Sequence, residues 1–97
     1  MSVHNEKTDG PFKTTANFSQ TLKDDFRTGN NWNSMNDMQK EALDVIAVKL
    51  ARILSGDAGF REHWSDITIA ANLAASNASP SMPQVTADLT QAFGASA

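Results

Sequence analysis

The stretch MQKEALDVIAVKLARILSG, residues 38–56, decides the fold. Its apolar residues recur at three- and four-residue steps, and nothing in it stops a helix before Ser55 and Gly56. At about 100° per residue, Leu43, Ile46, Leu50, Ile53 and Leu54 share one broad face, which the spacing predicts to be the core face. Glu41, Asp44, Lys49 and Arg52 fall on the other side, with Val45 and Val48 among them. A helix of about 20 residues is about 30 Å long, so this one is the central strut. Ser34, with Asp37 three residues on, is a weak capping box that starts it.

Upstream, Phe18, Leu22 and Phe26 recur every four residues from about Thr15, which predicts a shorter helix ending at Gly29 in a left-handed cap. Trp32 hangs from the turn that follows, as a lid on the core. Residues 1–13 carry Asp9, Gly10 and Pro11 and no periodicity, so they are expected to form a flexible arm with Phe12 as its one anchor. Downstream, the Gly56–Gly59 loop leads into a helix whose seam is Phe60, Trp64, Ile67, Ala71 and Ala74. Ala75 to Pro83 reads as a linker rich in Ser, Asn and Pro. Ser81 and Gln84 form a second capping box, and Val85, Leu89 and Phe93 define a short terminal helix before Gly94. No repeat and no period-two strand is visible. The expected fold is all-α, a small three- to four-helix bundle, with residues 14–97 as its single domain.

At 97 residues the chain supports one core. A domain of this size buries a modest share of its apolar surface, and without Cys it has no disulfide to compensate. Eleven acidic and eight basic side chains give a net charge of −3. That balance argues against direct DNA binding, which needs a basic stripe to neutralise phosphates. No apolar run approaches the length of a membrane span, and the first residues lack the apolar core of a signal peptide. A host-cell cytosolic location is therefore expected.

Two sets of residues carry chemical suggestions. Glu41 and Asp44, with Glu62 and Asp66 on the next helix, are carboxylate pairs at three- and four-residue spacing, an arrangement that suits Mg²⁺ through oxygen ligands. Acids at this spacing are equally ordinary on a solvated helix face. His63, beside Glu62, has the chemistry of a general base, but a lone His flanking a core Trp reads better as a partly exposed packing residue. The second set is apolar. Val45, Val48, Ile69 and Leu73 lie outside the single seam that each helix needs, and spare apolar surface marks an interface unless a fourth helix carrying Val85, Leu89 and Phe93 covers it.

QKEALDVIAVKLARILSGD (39–57) and HWSDITIAA (63–71), with Trp32 before them, resemble an uncharacterised family of small helical proteins from phages and prophages. The resemblance covers roughly Phe12 to Leu73. That family is itself distantly similar to the MazG-type nucleotide pyrophosphohydrolases, all-helical oligomers that hold Mg²⁺ with helix carboxylates. The resemblance implies Glu41, Asp44 and Asp66 as metal-side acids and Lys49 and Arg52 as phosphate contacts. The chain departs from the pattern where the family's His is Val48 and its Gly-Tyr pair is Ile69 and Ala70. Glu62 and Asp66 are also spaced by four rather than three.

Loss of site residues on a retained scaffold leads to the expectation of a non-enzymatic phage or prophage accessory protein. Such a protein would bind and inhibit a component of host antiviral defence, either a defence protein such as a CRISPR effector subunit or a nucleotide second messenger. Its partner surface would be Val45, Val48, Ile69 and Leu73, rimmed by Arg52 and Asp66, with no cofactor. A homo-oligomer, in the simplest case a dimer, is expected on size grounds. The alternative is a Mg²⁺-dependent, MazG-like nucleoside triphosphate pyrophosphohydrolase using Glu41, Asp44, Glu62 and Asp66, with Lys49 and Arg52 on the phosphates.

Overall fold

A computed structural model describes residues 4–77. Among these the fold is all-α, as the periodicity predicts: α1 (Glu6–Asp9), α2 (Phe12–Arg27), α3 (Asp37–Ser55) and α4 (Arg61–Ser76), with one 3₁₀ turn at Trp32–Ser34. α3 lies between α2 and α4 and packs along both, while α2 and α4 share no comparable contact. Both neighbours run antiparallel to α3. Thr15 near the start of α2 meets Ser55 at the end of α3, with their hydroxyls 3.0 Å apart. On the other side, Lys49 of α3 pairs with Asp66 of α4 at 2.9 Å. No helix among the described residues is long and apolar enough to cross a membrane.

The central helix is capped two residues later than Ser34, at Asn36, and by a better cap. Asn36 is the N-cap: its side chain accepts the Gln39 N–H at 2.8 Å, and the Gln39 side-chain oxygen accepts the Asn36 N–H at 2.9 Å. This reciprocal pair satisfies two amide donors that a helix start otherwise leaves free, so it outcompetes Ser34 and Asp37. Ser34 instead closes the 3₁₀ turn by donating to the Asn31 carbonyl. Trp32 in that turn is half-buried, with the Arg27 guanidinium 4.9 Å and the Lys40 ammonium 5.6 Å from its ring centre. Gly29 does not adopt a left-handed conformation; α2 ends at Arg27, and its C-cap Thr28 keeps helical angles.

Alanines, rather than the larger aliphatics, fill the interior. Among the described residues the buried apolar ones are Ala42, Ala47, Ala51 and Ala70, and no large side chain is fully enclosed. Leu43, Ile46, Leu50 and Ile53, the expected core face, are half-buried, and Leu54 is exposed. Small side chains let the helices approach closely, and the closest approach then falls on the alanine positions, leaving the aliphatics at the margins. The seam expected on α4 is displaced for the same reason. His63 and Ala70 are its buried residues, whereas Trp64 is 51% exposed and Ala71 is exposed.

Residues 4–13 are not the flexible arm that their composition suggests. Asn5 caps α1 by accepting the Lys7 N–H at 2.9 Å, and the segment packs against α3 and α2. Two glycines permit this docking. Gly10 has a φ of 84°, and any side chain there would collide with the Ser55 backbone; one at Gly56 would collide with the Thr8 carbonyl. The Asp57 N–H donates to that same carbonyl at 3.0 Å, completing the junction. Phe12, the expected anchor, is 67% exposed; the buried anchor is Asp9. The predicted terminal helix with Val85, Leu89 and Phe93, and the Ser81–Gln84 capping box, lie outside the described residues.

Candidate functional site: two clefts along the α3–α4 seam

The seam between α3 and α4 opens into two adjoining clefts of different chemistry. The first has a volume of about 380 Å³, and its apolar lining comes from Met38, Ala42 and Val45 of α3 and Ile69, Ala70 and Leu73 of α4. It exists because Ala42 and Ala70 are too short to fill the space between helix axes, while Ile69 and Leu73, 57% and 60% exposed, stand on its lip. Glu41 lines one margin, and the Lys49–Asp66 ion pair lies at one end. Asn77, the last described residue, lies at the other end, where its side-chain amide donates to the Leu73 carbonyl at 2.8 Å.

The second cleft, about 290 Å³, is polar and sits where α1 meets α3 and α4. Lys49 and Asp66 belong to both clefts; Arg52, Glu62, His63 and Asp9 line only this one. Asp9, 4% exposed, is its focus. The Asn5 N–H donates to Oδ2 at 2.8 Å and the Thr8 hydroxyl donates to Oδ1 at 3.1 Å. Three potential cations surround the carboxylate: His63 Nε2 at 3.3 Å, His4 Nδ1 at 3.6 Å and Arg52 Nε at 3.8 Å. Burial alone would raise the Asp9 pKa, but the two hydrogen bonds and the nearby Arg52 and His4 outweigh it, holding the carboxyl below the ordinary aspartate value.

His63 is 2% exposed, so it is a buried clamp and not the partly exposed packing residue expected. Its Nε2 lies 2.7 Å from the Thr8 carbonyl oxygen, which can only accept, so that nitrogen carries the proton. Phe60 meets the ring edge-on, with centroids 4.9 Å apart. This fixes the imidazole between α1 and α4 with Nε2 committed to the backbone. Arg52 Nε is buried and has no hydrogen-bond partner among the described residues, since 3.8 Å to Asp9 is an ion-pair distance only.

Val45, Asp66, Ile69 and Leu73 therefore meet along one cleft, as their spacing implies. Val48 and Arg52 do not join them there. Val48 is half-buried and lines neither cleft, because three residues of helix rotate it by about 60° from Val45. Arg52 projects into the polar cleft, as a neighbour of Asp9 instead of a rim charge.

The four carboxylates considered as magnesium ligands do not meet in one cleft: Glu41 and Asp66 line the apolar one, Glu62 and Asp66 the polar one, and Asp44 neither. Asp44 faces α2, where the Arg27 guanidinium donates to it at 3.3 Å, and Glu41 edges the apolar cleft. Only Glu62 and Asp66 share the polar cleft, and Asp66 is held by Lys49. The residues present thus do not fit a four-acid metal site. Lys49 and Arg52, the phosphate contacts of that reading, each already face a carboxylate.

Asp9, Asn5 and Thr8 escape a periodicity reading altogether, and Phe60, read as part of the α4 seam, lines the polar cleft instead. The only signal was Asp-Gly-Pro at 9–11, which reads equally well as a plain turn. Compared with known protein families, with curated proteins and with solved structures, the sequence matches none.

Proposed function

We propose that the protein is a non-enzymatic phage or prophage accessory protein that binds and inhibits a host antiviral-defence component through the apolar cleft between α3 and α4. The observation that carries this reading is the exposure of Ile69 and Leu73 on the lip of a cleft floored by Ala42 and Ala70. Each of the two lip side chains is already about two-fifths buried, so completing its burial against a partner contributes roughly 1–2 kcal/mol. A cleft with an apolar floor and the Lys49–Asp66 pair at one end suits an apolar helix face, with polar contacts at the rim. This favours a protein target, such as a CRISPR effector subunit, over a nucleotide messenger, whose phosphates need uncommitted cations. The phage setting rests on the resemblance of residues 39–57 and 63–71.

The test is plating of a defence-sensitive phage on a restricting host that expresses the protein. Wild type should restore plating. Ile69→Asp with Leu73→Asp should abolish that rescue while far-UV circular dichroism stays unchanged, because both side chains are more than half exposed on the lip of the cleft. Rescue retained by the double variant would remove the cleft from consideration. Mg²⁺-dependent turnover of nucleoside triphosphates that is lost on Asp66→Asn would replace the reading with the pyrophosphohydrolase.

A further inference from the structure

We infer that the partner segment docking in the apolar α3–α4 cleft is an amphipathic helix whose apolar stripe is flanked by basic side chains. The inference rests on the docking reading above and adds to it the charge and spacing of the partner. Three features of the seam carry it. The first is which charges stand in water. Glu41 on the margin of the apolar cleft and Glu62 in the polar cleft are both exposed, and neither joins an ion pair among the described residues.

The second feature is the way the cations are recessed. In the Lys49–Asp66 pair, where the clefts meet, the lysine side chain is 15% exposed and the aspartate 40%, so the pair presents its carboxylate to an incoming surface. Arg52 is withdrawn in the same way, 17% exposed and facing Asp9, and His63 is buried. Arg61 is exposed at the start of α4 but lines neither cleft. The rim that a partner meets is therefore negative, although the clefts hold charges of both signs. Such a rim repels nucleotide phosphates and anionic lipid headgroups, and draws in basic side chains.

The third feature is spacing. The ion pair sets Asp66 level with Lys49, so Glu41 lies about 12 Å from Asp66 along the seam, and Glu62 is one turn, about 6 Å, farther on. Val45, Ile69 and Leu73 fall between these acids. A helix that fits this interval carries an apolar stripe at three- and four-residue steps, with basic residues about eight and about twelve positions from the first one. The charged flanks fix register and speed encounter more than they add affinity.

Three synthetic helical peptides that share one leucine stripe and carry Arg, Gln or Glu at the flanking positions test this by fluorescence anisotropy on the full chain at low salt. The Arg peptide should bind about tenfold more tightly than the Gln peptide, the product of two or three exposed pairs, and the Glu peptide should bind most weakly. High salt should shrink the gap, and Glu41→Gln with Glu62→Gln should reduce it to about twofold at unchanged helicity. Equal binding of the Arg and Gln peptides, or a gap that survives the double variant, would overturn the basic flank and leave apolar docking standing. Binding to phosphatidylserine vesicles as tight as that of the Arg peptide would also overturn it, with a membrane surface as the occupant. No binding by any of the three peptides would remove the cleft as a helix-docking site as well. No host enters these measurements, so they are separate from the plating result that decides the anti-defence reading.

Discussion

Asp9→Ala is the sharpest test of how the N-terminal segment is held. The substitution removes the acceptor for the Asn5 N–H and the Thr8 hydroxyl, and strips the buried charge that faces His63, His4 and Arg52. Two hydrogen bonds to a charged group at about 1.5–3 kcal/mol each sum to about 3–6 kcal/mol, and breaking a buried ion pair costs about 3–5 kcal/mol, so both put the loss at no less than about 3 kcal/mol. For a domain of this size that lowers Tm by roughly 12–24 °C. Urea denaturation followed by far-UV circular dichroism, with a thermal melt, measures both. A loss below about 0.5 kcal/mol, the scale of an ordinary surface substitution, would refute the docked segment and restore the flexible arm.

The same site predicts a pH signature. Because the folded-state carboxyl titrates below its ordinary value of 3.8, its stabilisation is complete above that value and is lost as the pH falls through the lower, folded one. Wild type should therefore lose stability on acidification below about pH 4 more steeply than Asp9→Ala. Parallel curves for the two proteins would mean that the carboxylate is solvated in the folded state.

Two further substitutions follow from the geometry. Gly10→Ala combines a left-handed backbone, unfavourable for alanine by about 1–2 kcal/mol, with a collision against the Ser55 backbone, and should cost about 2–4 kcal/mol in a denaturant titration. Arg27→Ala breaks a pair with Asp44 in which the arginine is 45% exposed; its effect should stay below about 1 kcal/mol and shrink further in high salt.

The helices of this protein were legible in its sequence, and the packing between them was not. Four-residue apolar steps suffice to place α2, α3 and α4, because periodicity reports which residues share a face. Periodicity does not report which face wins contact when alanine and leucine compete. On α3 both Ala47 and Leu50 lie on apolar arcs, yet Ala47 is the one wholly enclosed, since closeness of backbones was decided by the smaller residue. The Val45–Ile69–Leu73 cleft was found because those residues are surplus to a single seam. Asp9 was missed because its burial depends on Gly10 and Gly56, forty-six residues apart in the chain, touching the neighbouring backbone. No local pattern encodes that meeting, and the same holds for His63, whose burial depends on the Thr8 carbonyl arriving beside it.

The alanine interior also links fold to binding. A close-packed interface of Ala42, Ala47, Ala51 and Ala70 gains little transfer energy per residue, because each contributes a single methyl. Larger side chains such as Met38, Leu54, Ile69 and Leu73 keep most of their apolar surface in water. The described residues thus hold their largest untapped stabilisation on the outside, along the α3–α4 cleft, whereas the junction of α1 with α3 and α4 is secured by polar groups around Asp9. Those groups fix α1 at the polar end of the α3–α4 seam without covering the apolar cleft. A partner that fills that cleft should therefore stabilise the fold as it binds. A ligand that binds the folded state at 100 times its Kd contributes about 2.7 kcal/mol, comparable to the predicted Asp9 contribution, so a partner that leaves Tm unchanged is not seated in the cleft.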